Sequence, residues 1–265
     1  MKNIYKIAFC VLLIAGCSKN NDPVKTPGCL LTQYTDSTPG SSNSNITNIT
    51  YTSDNKVSAA ALTQTNDGGV TTLYNATLDS NGKITKLIPA TTPGESQPSS
   101  ETFIFDAGGV LTKTTVAYGS NGSFEETYFY NGTGQLIHAD LTIKDSDGNS
   151  YFSYQAYTYP NTTTHNPSVI DSYNEKFGAG GSRYETQSFT YDTKKTPESA
   201  AVTVPNYSSD NNILTEVAII SPDTDNATTS HISYTYTYSD AGYPLTISHT
   251  ISGTVHNETY TYTCK

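Results

Sequence analysis

The stretch Ile232-Ser233-Tyr234-Thr235-Tyr236-Thr237-Tyr238-Ser239-Asp240-Ala241-Gly242-Tyr243-Pro244-Leu245-Thr246-Ile247-Ser248-His249 decides the fold. Large apolar or aromatic side chains alternate with Ser or Thr on both sides of a polar cluster that contains Gly242. Alternation at a period of two is the signature of a half-buried strand, and a short Ser/Asp/Gly cluster supplies the chain reversal of a hairpin. A second reversal near Gly253-Thr254 extends the pattern to Cys264. Folding the three strands back on these turns gives one amphipathic sheet. Ile232, Tyr234, Tyr236, Tyr238, Leu245, Ile247, His249, Ile251, His256, Glu258, Tyr260, Tyr262 and Cys264 fall on the face predicted to be core. Ser233, Thr235, Thr237, Thr246, Ser248, Thr250, Asn257, Thr259, Thr261 and Thr263 fall on the wet face.

The same grammar runs backward through the chain. From Cys29 onward Thr and Tyr dominate, and turn clusters arrive at Asn66 to Gly69, Ser80 to Gly82, Ser120 to Gly122, Asp145 to Gly148 and Ser239 to Gly242. Longer loops are predicted at 36–45, 89–100, 160–168 and 192–212, where Pro, Ser and Asn collect. No segment carries a helical period, so residues 29–265 read as a single all-β domain: a curled antiparallel meander of repeated β-hairpins. Its bulk filler is tyrosine, since the chain has 21 of them, no Trp, and Met only at position 1. A half-buried tyrosine packs its ring on cross-strand neighbours and keeps its hydroxyl within reach of a partner.

The first residues follow a different logic. Lys2 and Lys6 precede the apolar run Ile7 to Ala15, and small Gly16 precedes Cys17. The run is too short to span a bilayer, and the order resembles a lipoprotein signal, which implies cleavage before Cys17 and acylation of that cysteine. Residues 1–16 are thus a signal peptide, and 17–28, with Pro23 and Pro27, a lipidated tether. The expected consequence is attachment to a membrane through lipid, each buried methylene contributing about 0.8 kcal/mol.

The signal carries two lysines and no acid, so its loss takes the formal charge from −10 to −12. A strongly acidic chain with Arg183 as its one arginine makes nucleic acid a poor partner. Cys10 leaves with the signal and Cys17 takes the lipid, so Cys29 and Cys264 remain. In an export compartment they are predicted to form a disulfide between the ends of the domain, the alternative being two free buried thiols.

Four copies of one unit stand out: Leu78-Asp79-Ser80-Asn81-Gly82-Lys83-Ile84, Phe105-Asp106-Ala107-Gly108-Gly109-Val110-Leu111, Tyr130-Asn131-Gly132-Thr133-Gly134-Gln135-Leu136 and Tyr238-Ser239-Asp240-Ala241-Gly242-Tyr243-Pro244-Leu245. Tyr51 to Val57 is a weaker copy, and Tyr191-Asp192 begins another. These units resemble the YD repeat of Rhs and teneurin type, and most of all the repeat lipoproteins of Bacteroidota. Tyr191-Asp192-Thr193-Lys194-Lys195-Thr196-Pro197, followed by Asn211-Asn212-Ile213-Leu214-Thr215, is similar to a segment of those lipoproteins. The resemblance covers about 29–265. It implies extended antiparallel hairpins and an outer-membrane location, and it brings no catalytic residues.

Candidate chemistry is sparse. The inferred register makes Tyr234, His249 and Glu258 neighbours, an arrangement able to orient an imidazole, or simply to satisfy a partly buried histidine. Asp145-Ser146-Asp147-Gly148-Asn149 and Asp223-Thr224-Asp225-Asn226 invite a calcium reading, but neither completes an EF-hand loop, and Asp-Gly and Asp-Asn are what hairpin turns use. The five histidines show no zinc spacing, and no P-loop or dinucleotide fingerprint is present, so neither metal nor cofactor is expected. Asp36-Ser37-Thr38 resembles a short O-glycosylation motif of exported Bacteroidota proteins. The reading favoured on these grounds is a non-catalytic binding or interaction module whose partner is a glycan or an envelope protein. A glycan-binding surface lipoprotein is the alternative, and an enzyme is the third.

Overall fold

The computed structural model describes residues 29–37, 44–51, 57–65, 71–80, 83–90, 98–200 and 209–264. The signal, Cys17 and the tether lie outside the described residues, as do Thr38 and the turn at 66–69.

The chain is a run of antiparallel strands. The first five are β1 (Cys29–Ser37), β2 (Ser44–Tyr51), β3 (Val57–Thr65), β4 (Thr71–Leu78) and β5 (Ile84–Pro89). Next come β6 (Ser100–Phe105), β7 (Leu111–Ala117), β8 (Ser123–Tyr130), β9 (Leu136–Lys144), β10 (Ser150–Thr158) and β11 (Val169–Asn174). The last are β12 (Arg183–Lys195), β13 (Asn211–Ile220), β14 (Thr228–Ser233), β15 (Thr235–Tyr238), β16 (Pro244–Ile251) and β17 (Thr254–Cys264). Among the described residues single 3-10 turns, at Gly119–Asn121 and Pro197–Ala200, interrupt them.

Each strand from β1 to β13 pairs with the next, as do β15 with β16 and β16 with β17. The sheet curls far enough that β17 also pairs with β1. The circuit stays open at Tyr234: β14 pairs with β13 and β15 with β16, and no ladder joins the two halves of that run. The curled meander joined at its first and last strands is the expected one, and Cys29 and Cys264 form a disulfide there.

The repeat unit is a turn with a fixed hydrogen-bond pattern. At Asp106 the backbone N–H donates to the Val110 carbonyl at 2.9 Å, and Gly109 N–H donates back to the Asp106 carbonyl at 3.0 Å. The Asp106 carboxylate then accepts from Val110 N–H at 2.9 Å. Gly109 takes φ +76°, which a side chain resists, so the unit is a three-residue hairpin with a glycine bulge. Asn131, Asp145 and Ser239 hold equivalent turns closed by Gln135, Asn149 and Tyr243. The Asp, Asn or Ser of each unit is therefore a side-chain clamp on its own turn.

The residue after the turn goes inward in four of these units, whereas Ser150, after the Asp145 turn at the other end, is exposed. Ile84, Leu111, Leu136 and Pro244 are fully buried. Since a meander alternates ends, these turns share the end where β1 begins and β17 finishes. The 3-10 turn Pro197–Ala200 after β12 packs at the same end, with Ala200 fully buried in the core cluster that includes Cys29 and Leu31. The tyrosine rows face this interior: Tyr34, Tyr74, Tyr128 and Tyr260 are buried, while Thr235, Thr237, Thr259 and Thr261 are exposed. Three assignments to the core face differ from the sequence reading: Cys264, the last residue of β17, is exposed, as are two others. Leu245 and Ile251 are 39% and 41% exposed. A bulge pairs Tyr238 with Pro244, which turns Tyr243 and Pro244 inward in place of Leu245, and Ile251 sits at the opposite rim beside the Ser252-Gly253 turn.

Candidate functional site

The interior combines aromatic rings with acids, and the register explains how. Asp36 lies opposite Glu258, and Ile247 opposite Glu258, so inward rows bring carboxylates among tyrosines. Tyr128 hydroxyl donates to Glu126 at 2.9 Å, two positions away on the same face. Tyr234 donates to Glu216 at 3.0 Å, whose other oxygen accepts from Gln187 at 2.9 Å. Tyr260 donates to Glu258, and Tyr238 to Asp192. Asp192 further receives the Asn212 side chain at 3.0 Å, which ties β12, β13 and β15 together at the closed end.

Burial, with carboxylates nearby, pushes the Tyr128, Tyr234 and Tyr236 hydroxyls well above their ordinary range. They remain protonated donors at neutral pH. Burial likewise raises the Glu126 and Glu185 carboxyls, and takes Glu101 to about 7.

Tyr234, His249 and Glu258 come together in part. The Tyr234 and His249 ring centroids are 4.9 Å apart, and His249 stacks on His256 at 5.4 Å. His249 Nδ1 is buried without a hydrogen-bond partner, so no carboxylate orients the imidazole through that nitrogen. Burial and the neighbouring His256 hold its pKa low, against an opposing pull from Asp36.

The acidic turns are spent on themselves. Asp145 accepts from Asp147 N–H, Asn149 N–H, the Asn149 side chain and Tyr151. Asp223 is bonded by Arg183. Among the described residues no group of three or more His, Cys, Asp or Glu could hold a metal ion.

Sequence reasoning missed a cluster on the outer face of β8 to β12. Phe129, His138 and Phe177 stack in order, each pair 4.1 Å apart between centroids, and Tyr154 stacks on Tyr173 at 4.4 Å. Phe177 lies in the Gly-rich stretch Glu175 to Gly181, where no period exists to announce it. Arg183, the lone arginine, was the available signal.

No protein-family model and no curated protein matches the sequence. Among solved structures the fold is similar to a porin-like protein from Bacteroides uniformis ATCC 8492, at 13% identity and a TM-score of 0.56, covering 90% of this chain and 99% of that one. A porin-like protein from Bacteroides vulgatus ATCC 8482 is similar over 88% of this chain and 99% of its own, at 11% identity and a TM-score of 0.58. At such identities the likeness concerns fold alone. A chain of TcdB2-TccC3 aligns over 85% of this chain at a TM-score of 0.23, too low to carry an argument.

Proposed function

We propose that this chain is a lipid-anchored protein of the bacterial envelope, of the Bacteroidota repeat-lipoprotein type, whose β-domain is a non-catalytic binding module standing outside the bilayer. The supporting observation is the direction of its faces. A sheet that spans lipid turns an apolar band some 25 Å tall outward and keeps its polar side inward. Here Leu31, Tyr34, Tyr74, Leu87, Leu111, Tyr128 and Tyr260 point in, while Thr235, Thr237, Thr259 and Thr261 point out into solvent among scattered exposed apolar side chains such as Ile104, Ile137 and Leu245. Such a domain needs a separate device to stay on a membrane, and Cys17 supplies it. The interior tyrosines and acids answer one another, which leaves the outer face to meet partners. The porin-like neighbours fit an envelope setting.

The test is membrane fractionation of cells expressing the full chain and its Cys17→Ala variant, with labelled palmitate. The parent chain takes up label and sediments with membranes, and the variant is unlabelled and released. A variant that stays in the membrane and resists alkaline carbonate would overturn the reading in favour of an integral barrel.

A further inference from the structure

Five side chains form one row across the outer face. Phe129, His138, Ala156, Asp171 and Thr186 are successive register partners on β8, β9, β10, β11 and β12. Ala156 is the small member, and Phe177 fills the space above it from the β11–β12 loop. Its ring lies on His138 at 4.1 Å and 7°, and meets Tyr154 edge-on at 5.2 Å. Strands stand about 4.8 Å apart, so a ring stacked on His138 occupies the Ala156 place in the row, with Asp171 next beyond it. Phe177 is 54% exposed, and the ring face turned away from His138 is the one on the Asp171 side of the row.

The floor beyond that face is polar. Asp171 Oδ1 accepts from Arg183 Nη1 at 3.2 Å and from Thr186 Oγ1 at 2.6 Å. Arg183 Nε and Nη2 donate to Asp223 at 3.3 and 2.6 Å. These bonds engage three of the five guanidinium N–H groups, and the Arg183 and Asp223 side chains are 30% and 56% exposed. The wall is fixed by its backbone: Gly178 and Gly180 take φ +81° and +79°, and a Cβ at Gly181 would lie 1.7 Å from the Asn174 carbonyl oxygen. Lys176 is folded over the Phe152 ring at 4.1 Å.

We propose that this shelf, with Phe177 as wall and Arg183, Asp171 and Asp223 as floor, binds a neutral sugar ring. A pyranose offers an apolar C–H face to an aromatic ring, and hydroxyls that both donate to carboxylates and accept from a guanidinium fork. Two carboxylates and one guanidinium leave a net negative floor, unsuited to anions. A single open ring face beside a guanidinium does not make a cage for an ammonium ion. The inference rests on the binding-module reading and names its ligand class. It needs no anchor, so the Cys17→Ala chain keeps sugar binding even where it loses the membrane.

The experiment is calorimetric titration of the full chain, in detergent, with oligosaccharides of α-glucan, β-glucan and α-mannan and with tetramethylammonium. One oligosaccharide class is expected to bind saturably. Phe177→Ala and the charge-preserving Arg183→Lys each weaken it by about tenfold or more, the scale of one lost stacking or fork contact. Leu245→Thr, remote from the shelf, leaves it unchanged. Absence of binding across the panel, tighter binding of tetramethylammonium, or wild-type affinity in either shelf variant overturns the proposal.

Discussion

Cys29 lies directly across the ladder from Cys264, their Cα atoms 3.9 Å apart, so the covalent bond and the β1–β17 hydrogen bonds fasten the same two strands. Edge strands are the exposed flank of any open sheet, and pairing β1 with β17 covers one flank of each and leaves the opening at β14 and β15. The bond sits at the packed end of the sheet, where Leu31, Ile84, Leu111 and Leu136 are fully buried. Covalent closure, strand pairing and the densest packing therefore coincide.

Cys29→Ser is expected to lower stability by up to roughly 5 kcal/mol, the chain-entropy value for so long a loop. The ladder persists without the bond, so the variant keeps its strand signal in far-UV circular dichroism. Chemical denaturation of parent, variant and reduced parent checks this. Variant and reduced parent should agree, and a parent indifferent to reductant contradicts the pairing.

The repeat clamp has its own signature. Asp106→Ala removes the acceptor for Val110 N–H and should cost about 1 kcal/mol, the usual loss for a side chain that caps backbone N–H groups. Asp106→Asn keeps the acceptor and should lie close to the parent. Gly109→Ala forces a Cβ onto φ +76° and within 2.7 Å of Lys83 Nζ, and should cost at least as much as Asp106→Ala. If these turns held calcium instead, a chelator would lower the melting temperature of the parent, and none of this order would follow.

Much of this was legible in the sequence because a strand's period is local. Ile232 to His249 announces its own faces, and Asp106 with Gly109 announces its own turn. The disulfide was legible from compartment and elimination. What escaped depends on register or on irregular backbone. The Tyr238–Pro244 bulge moves Leu245 outward by a one-residue change that composition does not record. Phe177 meets His138 only because a glycine-rich loop lies back over three strands, and the pairing of β17 with β1 needs the accumulated curl of every strand between them.

Glu101 should make stability depend on pH. The residue is 6% exposed, and burial raises its carboxyl from 4.5 to about 7. A folded pKa above the unfolded one stabilises the fold fully below about 4.5, and that contribution is lost as pH rises through about 7. The shift corresponds to roughly 3 kcal/mol. Denaturation at pH 5 and pH 8 should show Glu101→Gln gaining on the parent at the higher pH, because it carries no charge to bury. Equal pH dependence in the two chains would assign the slope elsewhere.

The last prediction separates the two faces. Tyr236 points inward, its hydroxyl donating to the Ile213 carbonyl oxygen, and Thr237 beside it points out and shares a hydroxyl bond with Thr246 at 2.7 Å. Tyr236→Phe leaves a partly buried carbonyl without its donor and should cost about 1 kcal/mol, and Tyr236→Ala, which also empties the ring's place among Tyr234 and Tyr238, about 3 to 5 kcal/mol. Thr237→Ala removes only a solvent-exposed bond and should stay within about 0.5 kcal/mol of the parent. Urea denaturation of the three variants checks the ordering. A lipid-facing sheet would reverse the sensitivity: polar substitutions at outward Thr positions would be neutral in water yet block membrane insertion, whereas here Thr237→Lys should fold and remain as soluble as the Cys17→Ala parent in which it is made.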